Sequence, residues 1–371
     1  MHLQSQSKLL SAPLEIRRAI YTQISSGHLH ALRSQSKFRF SGCLQPNLGD
    51  SEHAGYERRV SAENDDASQA QWARRLSSSW GPHWECEELA LAKDKKLCGG
   101  DLYKLGFVCK KTFLDICDLV AESSVINVTD LDILQSNPDD SSPSWNLWDH
   151  IRPRVQVLNV ALRLPVAFYT EMEGNAEVQD EAAGRSTTAV STAYTNWMHF
   201  WVIICGLQQL RKLNVWLDHD DESSWSVVKE RQVLTPVFAI LATELKARSA
   251  MCDVPAMQFL FNLPKLHPGI AKPETHFVEE IVPPSIMIKR RYRQRYHRSM
   301  SDDGALSVAY KSDFPIMHEI ADFYSNESLG AIMIPVQEFE EIERNLWLTG
   351  QDVHREIREL TSLNGFSVCY F

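Results

Sequence analysis

The chain has no long hydrophobic run. Its most apolar window, around Trp197 to Leu207, is too short and too interrupted to span a bilayer. The N-terminus, MHLQSQSKLLSAPLEIRR, lacks the apolar stretch of a signal peptide, so a cytoplasmic protein with no membrane partner is expected. No cysteine pair has CxxC spacing: the eight lie at 43, 86, 98, 109, 117, 205, 252 and 369, a scatter that suits reduced, mostly structural thiols. Without HExxH or clustered Cys/His spacing, no metal and no cofactor are expected; His28 and His30 share a strand face if their segment is extended and otherwise read as ordinary loop residues. GxGxxG, GxxxxGK(S/T) and GxSxG are also absent, which argues against a conventional nucleotide-binding loop or hydrolase elbow. Nor is there an excess of bases. The 38 Lys and Arg against 48 Asp and Glu give a net charge of -10, excluding a uniformly basic nucleic-acid coat but not a local basic site.

What is present is enough apolar material for a core. Hydrophobic residues make up 44% of 371, with ten Trp, ten Tyr and fifteen Phe, which excludes wholesale disorder. Pro13 to Ile24 reads as a helix with proline in its first turn. Residues 45 to 85 are rich in Gly, Ser, Asp, Glu and Asn and read as a long insertion, packed only through Trp72, Trp80 and Trp84. Leu105 to Val120 has helical spacing, Val125 to Val128 and Val155 to Leu164 read as strands, and 171 to 192 reads as a second loop. A buried helix from Trp197 to Leu210 then leads into the strand Leu213 to Leu217. A helix follows from near Ser224, with Thr235-Pro236 as a cap and restart. Met257 to Leu260 reads as a strand, and Phe314 to Phe323 and Val336 to Leu346 as helices. The expected fold is α/β, a mixed sheet with surrounding helices and two large loop insertions. Its expected parts are an N-terminal helical segment (1–44), a variable, partly disordered insertion (45–100) and an α/β region (101–371).

Two charge clusters carry the chemistry. Asp218-His219-Asp220-Asp221-Glu222 follows the strand ending at Leu217, and ligands of open α/β sheets bind beyond such strand ends. Crowded carboxylates there suit recognition of guanidinium or ammonium, proton transfer, or a hard cation, with Glu230 within reach if the next helix turns inward. They equally suit a solvated loop favouring the next helix's N-terminus. The second cluster is Lys289-Arg290-Arg291-Tyr292-Arg293-Gln294-Arg295-Tyr296-His297-Arg298. As a strand it places Arg291, Arg293 and Arg295 on one face, a ridge for phosphates with aromatics for bases. The alternatives are a basic strand paired with the protein's own acidic loops, or a nuclear-localisation signal.

LLSAPLEIRRAIY, from Leu9 to Tyr21, resembles the opening of a large group of fungal proteins with an F-box-like N-terminal motif. Val108-Cys109-Lys110-Lys111-Thr112-Phe113 resembles the group's later "TCR" helix, with Lys110 and Lys111 departing from its usual form. The likeness continues through LRKLNVWLDHDDESSWSVVKER, FNLPKLHP and IKRRYRQRYH, so that residues 9 to 298 resemble the fungal arginine-containing cyclodipeptide synthases. That resemblance implies condensation of an arginyl and a second aminoacyl group, both delivered by tRNA, into a diketopiperazine. The activated ester makes an ATP loop unnecessary. In that reading Asp218, Asp221, Glu222 and Glu230 carry catalysis and Asp220 and His219 bind substrate. Lys289, Arg290, Arg291, Arg293, Arg295 and Arg298 meet tRNA phosphate. The rival expectation is a non-enzymatic adaptor whose residues 11 to 24 bind a ubiquitin-ligase component.

Overall fold

The computed structural model describes residues 7–25, 27–34, 37–46, 66–91, 105–106, 108–134, 147–181, 191–249, 257–278, 286–300, 304, 306–311, 313–316, 336–356 and 359. Most of the helix expected at 314 to 323 lies outside them.

The fold is α/β, built on a seven-stranded mixed sheet. Strands β1 (His28–Ser34) and β2 (Lys37–Gly42) form an antiparallel hairpin at one edge. From β1 the sheet continues in parallel through β3 (Val125–Val128), β4 (Val157–Leu164), β5 (Lys212–His219), β6 (Gln258–Pro264) and β7 (Ile286–Arg291). The parallel strands lie side by side in chain order. Every step therefore moves the same way, and right-handed crossovers of that kind place their connections on a single face.

That face is the apolar one. In-register rows such as Ile126, Leu158, Leu213 and Phe259, then Val128, Val160, Val215 and Phe261, are buried in the main core, with the helices Thr192–Cys205 and Glu230–Ser249 packed on this face. In chain order the helices are α1 (Leu14–Ile24), α2 (Asp66–Leu76), α3 (Trp84–Leu91), α4 (Lys110–Ser123), α5 (Leu147–Ile151), α6 (Val166–Glu181), α7 (Thr192–Cys205), α8 (Glu230–Ser249) and α9 (Val336–Leu348). Phe261 packs against Trp201 of α7 and Phe238 of α8, with ring centroids 5.9 and 4.9 Å apart. Arg248, at the end of α8, donates to the carbonyls of Cys205, Leu207, Gln208 and Leu210. It thereby satisfies groups that the end of α7 and the following turn leave open.

The opposite face carries one asparagine in each of three adjacent strands. Asn127, Asn159 and Asn214 are in register, and their amides form a row: Asn127 donates to the Leu29 carbonyl, Asn159 to Asn127, and Asn214 to Asn159. Beyond the row, this face is covered by α2, by the Gly81–His83 turn, and by a separate hairpin of β8 (Tyr296–Met300) and β9 (Leu306–Tyr310), which packs on α2.

Four expectations change. Residues 28–42 belong to the main sheet rather than to a helical N-terminal unit. Within the insertion expected to be partly disordered and packed only through its tryptophans, residues 66–91 hold two helices, with Ala73, Leu76 and Cys86 buried as well as Trp84. The second expected loop begins as α6, whose first turns are anchored by buried Tyr169 and Met172. Pro236 lies inside α8 rather than starting a new helix.

Candidate functional site

β5 runs two residues further than the apolar pattern suggested, so Asp218 and His219 are strand residues facing opposite sides of the sheet. Asp218 sits beside Arg163 of β4 in the ladder, on the face of the asparagine row. Both line a cavity of about 50 Å³ with Trp216, Asn262, Arg291, Tyr292 and Gln294, roofed by Gly81 and Pro82. That is room for one or two water molecules. Arg163 also borders a larger groove of about 380 Å³, lined by Trp80, Asp130, Asp132, Phe168 and Asn196 among others.

The site is dense in buried arginine. Arg163 donates to the carbonyls of Leu76, Ser78 and His219, tying β4 to the covering segment. Arg291 donates to Asn262 at 3.1 Å and lies over the Trp216 ring. Arg293 donates through Nε to Asp218 Oδ1 at 2.8 Å, and its other nitrogens reach His219 Nδ1 and the carbonyls of His219, Asp221 and Ser223. Burial opposes a charge on Asp218, but the Arg293 and Arg163 guanidiniums outweigh it and hold the carboxyl below its usual range. His219 is fully buried and is pushed down to about 4 by burial and by Arg293. Since a guanidinium only donates, His219 Nδ1 must accept, which leaves the proton on Nε2. Burial raises Tyr169 well above its ordinary value; its hydroxyl donates to the Asp218 carbonyl at 3.0 Å.

The expected convergence of the acidic loop is only partly met. Asp220, Asp221 and Glu222 are exposed. Asp221 is held below its usual range by the Ser223 side chain and then by the Ser223 amide, which donates to it at 2.8 Å, and Glu222 lies 3.4 Å from Lys311. The chain turns as it leaves β5, so consecutive acids cannot share one cavity. Glu230 is buried away from solvent, accepting from Trp225 Nε1 at 2.7 Å, the Phe277 amide at 3.1 Å and both terminal nitrogens of Arg290 at 2.5 and 2.9 Å.

The basic segment does not form a continuous exposed strand. β7 ends at Arg291, residues 292–295 are irregular, and β8 begins at Tyr296 in the second sheet. Arg291, Arg293 and Arg295 are buried, the last donating to the Pro315 carbonyl, so the exposed ridge expected of them is not there. Lys289 and Arg290 are half-buried, and Arg298 is exposed.

Sequence reasoning missed Arg163, Trp216, Asn262, Asp130 and Asp132. Arg163 had a signal, as the only charged residue in the Val155–Leu164 run. It also missed four ligand-type side chains that the fold gathers near the hairpin edge: His30, Cys43, His83 and Cys86. No family model, curated protein or solved structure matches the chain.

Proposed function

We propose that this protein joins an arginyl group and a second aminoacyl group, both carried on tRNA, into a cyclic dipeptide. The supporting observation is an ionised carboxylate, Asp218, lining a cavity beside Arg163, Arg291 and Tyr292 at the strand ends. Such a site offers an anion for a substrate ammonium or guanidinium and cationic donors for a carbonyl oxygen that gains charge during attack. A carboxylate held below its usual range is a weak base, so the role assigned to Asp218 is to hold and orient positive charge.

In the reaction, the α-amine of one aminoacyl group attacks the ester carbonyl of the other. The tRNA hydroxyl leaves, and the proton lost by the amine passes to that leaving oxygen or to solvent. The second amine closes the ring on the remaining ester. Much of the rate gain would come from holding amine and ester together. The small cavity does not admit an arginyl group. The larger groove across Arg163 is the better place for it, with Asp130 and Asp132 for the guanidinium and Trp80 as a stacking surface. Lys289 and Arg298 are the segment's cations for tRNA phosphate, since the Arg290 guanidinium is spent on Glu230.

The test supplies purified protein with arginyl-tRNA and the full set of other aminoacyl-tRNAs, with product read by mass spectrometry. An arginine-containing cyclic dipeptide, lost in Asp218→Asn, supports the reading; no such product from folded protein refutes it.

A second reading rests on a different observation. α1 is held by Arg17, which pairs with Asp115 at 2.8 Å, yet exposes Leu14, Ile16, Ile20 and Ile24. Ile16, Ile20 and Ile24 lie four residues apart, on one side of the helix. This apolar stripe supports the adaptor role, with a ubiquitin-ligase component as the partner. Co-purification of such a component, abolished by Ile16→Ser with Ile20→Ser, would favour the adaptor.

A further inference from the structure

His30 lies in β1, Cys43 immediately follows β2, His83 ends the turn leading into α3, and Cys86 lies in the first turn of α3. His83 and Cys86 are three apart, a spacing that puts both on one side of a helical turn. Ligand atoms of all four residues lie within 4.8 Å of one another. Cys43 Sγ is 3.5 Å from His83 Nδ1 and 3.9 Å from Cys86 Sγ, and Cys86 Sγ is 4.0 Å from His83 Nδ1. A tetrahedral zinc with bonds of about 2.3 Å to sulfur and about 2.0–2.1 Å to nitrogen has ligand–ligand edges of about 3.4–3.8 Å. The measured edges are already close to that figure.

The surroundings favour a metal over a hydrogen-bonded cluster. His30 and Cys86 are fully buried and His83 nearly so, while neither ring nitrogen of His30 makes a hydrogen bond. Buried polar groups are rarely left that way, and a missing ion is one standard reason for it. Trp80 stacks on His30 with ring centroids 4.9 Å apart, closing one side to water. The Leu44 amide donates to Cys86 Sγ at 3.3 Å, the kind of outer contact that stabilises a metal-bound thiolate.

We infer that His30, Cys43, His83 and Cys86 form a structural zinc site that fastens the hairpin edge of the sheet to the segment covering the candidate site. Two thiolates and two neutral imidazoles balance the dication, which suits a buried position. Binding releases the two thiol protons to solvent. Four protein ligands leave no open position, so the site holds structure rather than performing chemistry. What it holds matters: Trp80 borders the larger groove, and Gly81 and Pro82 roof the smaller cavity. The site stands independently of the proposed aminoacyl transfer.

The test uses the full chain, with zinc measured by elemental mass spectrometry and cobalt as the spectroscopic probe. Expected are one zinc per chain as isolated and, after exchange, a visible cobalt spectrum of tetrahedral type with thiolate charge-transfer bands. Cys43→Ala and Cys86→Ala should lose the metal, while Cys205→Ala keeps it. Should the ligand variants fail to fold, the parent decides: stripping its zinc should lower the unfolding midpoint by about 5 °C or more, and restoring zinc should recover it. Folded parent protein that holds no zinc, takes up no cobalt and melts unchanged with added zinc overturns the site. A Cys43–Cys86 disulfide, cobalt bound without thiolate bands, or equal metal loss in Cys205→Ala does the same.

Discussion

Arg293 and Asp218 form the ion pair that joins the two charge clusters of the sequence, with Nε donating to Oδ1 at 2.8 Å. The arginine side chain is almost wholly buried, and its remaining nitrogens are spent on His219 and on the backbone of the turn after β5. The basic segment thus clamps the acidic loop in place. Arg293→Met removes the ion pair and the carbonyl bonds together, with an expected loss of about 3–5 kcal/mol. Asp218→Asn leaves the guanidinium its carbonyl partners and should cost about 1–3 kcal/mol. Urea unfolding of the two variants measures the difference. Equal, near-zero losses would mean that the clamp does not hold the strand end.

Acid should weaken the fold through two buried histidines. His219 and His297 are both buried, and burial, with Arg293 next, pushes each from 6.5 down to about 4. The unfolded chain therefore takes up these protons first. Their contribution is complete above pH 6.5 and is lost as the pH falls toward about 4, at most about 3 kcal/mol for each histidine. Asp218, also held low, adds a loss in the same direction at still lower pH. The urea midpoint followed from neutrality to about pH 4 should fall steadily, and His219→Gln should flatten the slope. A midpoint constant over that range contradicts the assignment.

The strands were legible where one face is apolar. Val125–Val128 and Val157–Leu164 stand out because alternate residues must enter the core, and the alternation of β5 was equally readable. The end of β5 was hidden because charged residues read as loop, although Arg163 and Arg293 supply the partners that let Asp218 stay in the sheet. α6 was missed because its sequence from Glu171 onward is mostly polar and small. The Cys/His cluster was invisible to motif spacing: two ligands come from the hairpin and two from the turn and helix start some forty residues later, and only the sheet edge brings them together. Asp221 and Glu222 were overread because proximity in sequence was taken for proximity in a cavity.

The asparagine row makes a separate prediction about register. Asn159 is its middle member, accepting from Asn214 at 2.8 Å and donating to Asn127 at 2.9 Å. Asn159→Val leaves a donor and an acceptor unmatched on neighbouring strands, an expected cost of about 2–4 kcal/mol. Asn214 ends the row, and its own Oδ1 is buried without a partner, so Asn214→Val should cost only about 1 kcal/mol. Chemical denaturation of both variants and of the double variant tests this. Equal single losses that add without coupling would show that the row does not act as a unit.

Glu230 offers a clean separation of folding from chemistry. Its carboxylate meets the indole of Trp225, the Phe277 amide and the Arg290 guanidinium, so it binds the turn after β5 and the start of α8 to β7. Every partner is a donor. Glu230→Gln keeps the shape but points an amide N–H₂ at one of those donors and leaves Arg290 without its carboxylate, at an expected cost of about 3 kcal/mol or more. Trp225 fluorescence should shift in the native state, because the indole loses its charged acceptor. Any loss of product would then track the unfolded fraction and recover as the assay is cooled further below the melting midpoint. A proton-transferring Glu230 behaves in the opposite way, with stability nearly unchanged and turnover lost at every temperature. Melting curves and product assays on the same preparation distinguish the two, and the geometry favours the first.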